Sequence, residues 1–115
     1  MGGLWAPFVI HWGSMGGPRV AELALLVILA HMAKGTIRYW AAARDAAGVG
    51  EEPYDASTLA DALAAARARR GDEFTRVVRR SSFLVDGQPV GTRDHAGIAL
   101  PDGGTVEVLP PFAGG

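Results

Sequence analysis

Two periodicities alternate along most of the chain. Residues 36–41 switch sides one by one, with Ile37, Tyr39 and Ala41 on one face and Thr36, Arg38 and Trp40 on the other. That is the pattern of a half-buried strand. Residues 42–48 are too rich in alanine to extend it and predict a helical turn stopped by Gly48, with Gly50 allowing a reversal. A short second strand over residues 53–56 would pair back as a hairpin. Ser57 and Thr58 then offer an N-cap, and Thr58 with Asp61 fits a capping box. Leu59, Ala62, Leu63 and Ala66 follow at helical spacing, which turns one apolar stripe toward a core. Gly71 closes this helix, and Arg67, Arg69 and Arg70 fall in its last turns, where positive charge suits the carbonyl end of the dipole.

The second half returns to period two. Asp72 caps a shorter helical piece whose Phe74, Val77 and Val78 share a face, and residues 82–85 form a strand. Asp86-Gly87 is a tight turn, and residues 88–90 return as an edge because Pro89 has no N–H to give. Residues 98–100 lead to a turn at residues 101–104, and residues 105–109 make a last strand with Val106 and Val108 inward. Pro110 and Pro111 end any pairing. A helical stripe lying between alternating segments predicts a small α+β roll, a mixed sheet with one main helix across one face.

Residues 1–34 do not follow these patterns. They carry three formal charges, Arg19, Glu22 and Lys34, whereas residues 35–115 carry nine Arg and eleven Asp plus Glu. The apolar run over residues 20–30 is well short of the ~20 residues a membrane span needs, and it contains Glu22. As a secretory signal it has Arg19 as its only upstream positive charge and no small-x-small cleavage site. Three readings stay open for the segment: a mis-assigned start with translation beginning at Met32, a disordered or loosely helical extension, or targeting. Function is expected in residues 35–115.

Composition narrows the function classes. One core fits into 115 residues, so two-domain enzymes are excluded. Lys+Arg 11 against Asp+Glu 12 leaves a net charge of −1 and no polybasic footprint, which argues against nucleic acid or membrane as partner; a cytoplasmic location is expected. With no Cys there is no disulfide, thiolate metal site or cysteine nucleophile.

No catalytic constellation emerges from the side chains. His11, His31 and His95 are far apart, with no acid at metal-ligand spacing, and His95 reads as a solvated loop residue. Gly103-Gly104 enters a strand rather than a helix, so it cannot hold a phosphate at a helix N-terminus. The cluster Arg67, Arg69, Arg70, Arg76, Arg79 and Arg80, balanced by Asp61, Asp72 and Glu73, reads as a solvated helix face or a docking surface for an acidic partner. What remains is the C-terminus, where Pro110, Pro111, Phe112 and Ala113 lead to Gly114 and Gly115. Two terminal glycines without Cβ atoms can thread a narrow channel and carry the terminal carboxylate to a reactive centre in another protein.

Several segments in order resemble the MoaD/ThiS family of ubiquitin-like sulfur carriers, and within it the molybdopterin synthase small subunits. They are Tyr39-Trp40-Ala41-Ala42-Ala43-Arg44-Asp45-Ala46-Ala47-Gly48, the helix start at Thr58-Leu59-Ala60-Asp61, Phe83-Leu84-Val85-Asp86-Gly87, Asp102-Gly103-Gly104-Thr105-Val106, and the ending from Leu109 to Gly115. Phe112 departs from the smaller aliphatic residue common there. The resemblance covers residues 35–115 and implies a β-grasp fold with sulfur carried as a thiocarboxylate on Gly115. It also implies Gly114 as a slender neck and Ala113, Phe112, Pro111 and Pro110 as tail and docking contacts. A carboxylate ionised at pH 7 is a poor electrophile, so it needs activation as an acyl-adenylate before a sulfur donor can displace AMP. The implied partners are a MoeB/ThiF-like adenylating enzyme that uses ATP, a sulfur donor protein, and a MoaE-like large synthase subunit acting on a pterin precursor. This chain would bind no cofactor or metal and act as a non-catalytic, sulfur-donating subunit. The same tail chemistry in thiamin, cysteine or tRNA-thiolation pathways stays open, as does an interaction module with an inert tail.

Overall fold

The computed structural model of the chain describes residues 19–112, in two units that divide between His31 and Met32. The first holds one described helix, α1 (Val20–His31). Its side chains Val20, Leu23, Leu25 and Leu26 are exposed. Among the described residues no helix is long and apolar enough to cross a membrane.

The second unit runs β1 (Ala33–Tyr39), α2 (Ala41–Ala47), β2 (Glu51–Ala56), α3 (Leu59–Ala68), α4 (Asp72–Arg79), β3 (Ser82–Val85), β4 (Gln88–Pro89), a 3-10 turn (His95–Gly97) and β5 (Thr105–Leu109). The strands form one mixed sheet in the order β2-β1-β5-β3-β4. β1 pairs antiparallel with β2 and parallel with β5, and β3 pairs antiparallel with both β5 and β4. The last strand of the chain therefore lies in the middle of the sheet.

Burial follows the two periodicities. Ile37, Tyr39, Val106, Val108 and Phe83 point to one face, and the α3 stripe of Leu59, Ala62, Leu63 and Ala66 is buried against them. Phe74 and Val78 of α4 complete the core, with Val77 at its margin. Thr58 caps α3 by accepting from the Asp61 backbone N–H at 3.2 Å. The β3–β4 hairpin turns at Asp86 and Gly87, with φ of +48° and +79°, as a two-residue turn of the kind favoured by the strand twist requires.

Four local expectations are corrected. Ala41 does not continue β1; it opens α2 and is exposed. Beyond the bond from Trp40 N–H to Val108 O, at 3.1 Å, the neighbouring strand runs into Pro110, which has no N–H to offer. Gly71 does not close the main helix. α3 ends at Ala68 with Arg69 as its right-handed C-cap, because Arg70 N–H turns back onto Arg67 O, and Gly71 becomes the N-cap of α4. Asp72 therefore stands inside α4 rather than capping it. His95 is only half exposed, packed edge-on against Phe83 with ring centroids 5.0 Å apart.

β1 also starts earlier than its alternation suggests. Ala33 and Lys34 pair with Ala56 and Asp55, and Lys34 N–H donates to Asp102 Oδ1 at 3.0 Å. Next to them Gly35 is fixed by space: a Cβ there would collide with Gly104 O and the Tyr54 ring. Tyr54 in turn donates its hydroxyl to Pro101 O, so this close approach ties β1 and β2 to the turn that leads into β5.

Candidate functional site

The tail of the chain grows from the best-supported strand. β5 is bonded on both sides, with Val108 in register with Tyr39 of β1 and Phe83 of β3, and Leu109 in register with Ser82. Pro110 is buried as the chain leaves the sheet, while Pro111 and Phe112 are exposed, Phe112 by 81%. The two prolines cannot donate to a neighbouring strand, and their fixed φ keeps the exit extended. Ala113, Gly114 and Gly115, expected to carry the chemistry, lie outside the described residues. Of the six expected tail residues, the structure thus places Pro110, Pro111 and Phe112 at a rigid root.

The face of the sheet turned away from the helices carries polar and aromatic residues around that root. Arg38 lies between Glu107 of β5 and Glu51 of β2 in register. The Trp40 indole N–H donates to Glu107 Oε1 at 3.1 Å, and the Arg38 guanidinium is 5.2 Å from the centre of the Trp40 ring. This cation–ring contact and the indole hydrogen bond hold a large, 42% exposed aromatic surface beside the tail exit. Strand alternation makes Trp40 outward-facing in the sequence, but its partnership with Glu107 spans 67 positions and needs the parallel β1–β5 register to be seen.

On the opposite face an ion network locks the scaffold. Glu52 of β2 receives Arg70 Nη1 at 2.8 Å and Arg69 Nη2 at 3.0 Å, and accepts the Tyr39 hydroxyl hydrogen. Arg70 also donates to Ala47 O and Ala66 O, both at 3.1 Å. Burial alone would raise the Glu52 carboxyl, yet the bonds from Arg70 and Tyr39 and the two guanidinium charges outweigh it and hold the group below its ordinary range. Tyr39 moves the other way, raised first by burial and then by its bond to Glu52. Arg70 is raised by its bond to Glu52. The arginines of residues 67–80 are therefore not one solvated face: Arg70 is half-buried against Tyr39 and Phe74. Glu52 was not legible as its partner, since β2 is short and no spacing rule joins it to a helix end.

Among the described residues no group of three or more His, Asp or Glu stands where it could hold a metal ion. The geometry offers a packed core, an exposed indole held by Glu107 and a chain that leaves the sheet through two prolines.

The profile of the ThiS family matches residues 37–115. Comparison with curated protein sequences gives no match. Among solved structures, small archaeal modifier protein 1 of Methanosarcina acetivorans superposes with a TM-score of 0.64 at 22% identity, over 74% of this chain and 99% of that one. The Haloferax volcanii HVO 2177 protein gives 0.61 at 25% identity, over 74% and 89%. A Pyrococcus furiosus protein described as molybdopterin converting factor, subunit 1, gives 0.58 at 25% identity, over 70% and 99%. The mixed five-stranded sheet has the ubiquitin-like β-grasp form of these neighbours, and the chain belongs to the ThiS family.

Proposed function

We propose that the chain is a sulfur carrier in molybdopterin biosynthesis, loaded as a thiocarboxylate on Gly115. The observation that carries this reading is the family match running through Gly115, combined with a proline-stiffened exit from the central strand. An adenylating enzyme joins the Gly115 carboxylate to the α-phosphate of ATP and releases pyrophosphate. A sulfide equivalent from a donor protein then attacks the acyl carbon, the C–O bond to AMP breaks, and the thiocarboxylate remains. The thiocarboxylate sulfur attacks a carbon of a pterin precursor in the large synthase subunit, the C–O bond at that carbon breaks and its oxygen leaves with a proton, and water then cleaves the acyl–sulfur bond, returning the carboxylate and leaving the sulfur on the pterin. Trp40 and Phe112 provide apolar contact area for these partners, and Gly114 passes through their channels. Every step takes place in the cytoplasm, and this chain binds no cofactor.

A second reading follows from the small archaeal modifier proteins among the neighbours. The same acyl-adenylate, attacked by a lysine amine instead of sulfide, would join Gly115 to another protein. Intact mass after incubation with the cognate adenylating enzyme, ATP and a sulfide source separates the two. One oxygen exchanged for sulfur supports the carrier; covalent adducts of protein size support the modifier; an unchanged mass rejects both. Conversion of a pterin precursor by the loaded chain with the large subunit then tests the molybdopterin assignment.

A further inference from the structure

Carboxylate pairing along residues 67–80 is uneven. Arg69 and Arg70 share Glu52, and Arg76 is 2.7 Å from Glu73. Arg67 and Arg79 make no ion pair among the described residues. Both line one groove of about 770 Å³ between α3, α4 and the β3–β4 hairpin, together with Phe83, Pro89, Thr92 and His95. No residue lining it is acidic. A place in the last turn of a helix explains why each arginine favours the carbonyl end. It does not explain two guanidinium groups on one groove with no counter-charge, in a chain whose acids outnumber its Lys and Arg.

We propose that this groove docks an acidic peptide segment bearing one apolar side chain, presented by a protein partner. The charge is complementary, and a groove with positive residues and low-dielectric walls focuses the field on an approaching carboxylate. Its size argues for a peptide, since a lone oxyanion would occupy a small part of 770 Å³. Its walls argue the same way: exposed Pro89 offers apolar surface that a phosphate would not cover. The groove lies on the helix side of the sheet, away from Trp40, so it is a second surface whatever the tail carries.

The test is a titration of the 15N-labelled full chain with an acetylated DDLDE peptide. Saturable amide shifts are expected at Thr75, Ser82, Thr92 and His95, weakening as salt is added. Arg67→Glu with Arg79→Glu should weaken binding at least tenfold, and Arg44→Glu on α2 should leave it unchanged. If the double reversal lowers the unfolding midpoint, Arg67→Gln with Arg79→Gln should still show the loss. The proposal is overturned if inorganic phosphate at the same concentration produces the same shifts, if the shifts centre on Arg38 and Trp40, or if none saturates.

Discussion

The Arg70 guanidinium stands 4.8 Å from the centre of the Phe74 ring and 5.5 Å from that of Tyr39 while its Nη1 reaches Glu52 at 2.8 Å. One side chain thereby joins β1, β2, α3 and α4, and its bond to Ala47 O adds α2. Removing it leaves a carboxylate that is only 13% exposed with Arg69 alone as charge partner. Loss of one member of a fully buried pair costs ~3–5 kcal/mol, and the partial exposure of this pair together with the remaining Arg69 contact reduces this. Arg70→Ala should lose about 2–3 kcal/mol, a fall of roughly 10–20 °C in the unfolding midpoint of a domain this size. Arg69→Ala, at the half-exposed end, should lose under about 1 kcal/mol. Calorimetry on both variants checks the ratio.

The same network sets a pH window. Glu52 has a lower value folded than unfolded, so its stabilisation is complete above the ordinary ~4.3 and drains away as pH falls through the folded value. Tyr39 is raised in the fold, so its contribution is complete below its ordinary 10.0 and is lost as pH climbs beyond that. Denaturant midpoints across pH should show both limbs. Glu52→Gln should flatten the acid limb, and Tyr39→Phe the alkaline one.

Among the described residues, every residue of the core lies at Ala33 or beyond. A chain starting at Met32 should therefore unfold within a few degrees of the full chain. Starting at Gly35 removes Ala33, paired with Ala56, and Lys34, whose backbone bonds Asp102 and Gly103. The two Lys34 backbone bonds, at ~0.5–1.5 kcal/mol each, and the lost ladder pairing of Ala33 with Ala56 should lower the midpoint by several degrees more. Equal midpoints for the two truncations would show that the start of β1 adds nothing.

Leu63 is 1% exposed in the middle of the α3 stripe. Leu63→Asp would set an unpaired carboxylate against the sheet, a cost comparable with the whole ~5–15 kcal/mol of a small domain. Cooperative unfolding should vanish from the thermal scan.

Deleting Gly115 removes no side chain, so circular dichroism and unfolding midpoint should not change. The terminal carboxylate would retreat by ~3.3–3.6 Å, while misplacement by ~1 Å already costs about 100-fold in reacting geometry. Loading by the adenylating enzyme should collapse. Gly114→Val should act alike by widening and stiffening the neck. Loading of either variant at the unaltered rate would reject the carrier reading.

The sequence is legible where a pattern repeats or a turn has a chemical signature. The α3 stripe, the alternation of β1 and β5, the Asp86-Gly87 hairpin and the Pro89 edge all stand where periodicity puts them. Illegible were features set by distant partners. Gly71 looks like a helix stop, but the stop comes earlier, where Arg70 N–H turns back onto Arg67 O and its side chain reaches Glu52. Ala41 fits the strand, but the strand runs out of neighbours at Pro110. At the site, the proline exit could be read from residues 109–112, whereas the Trp40–Glu107 contact depends on register alone.

The central place of β5 has a mechanical consequence. A partner that draws the tail into a deep channel pulls along the strand axis, and β5 is held in parallel by β1 over Thr105–Val108 and antiparallel by β3 over Val106–Leu109. Such a pull loads these hydrogen bonds together, in shear, instead of peeling them one at a time as at an edge. The chain end can thus be tugged into and out of successive partners while the domain behind it keeps its shape.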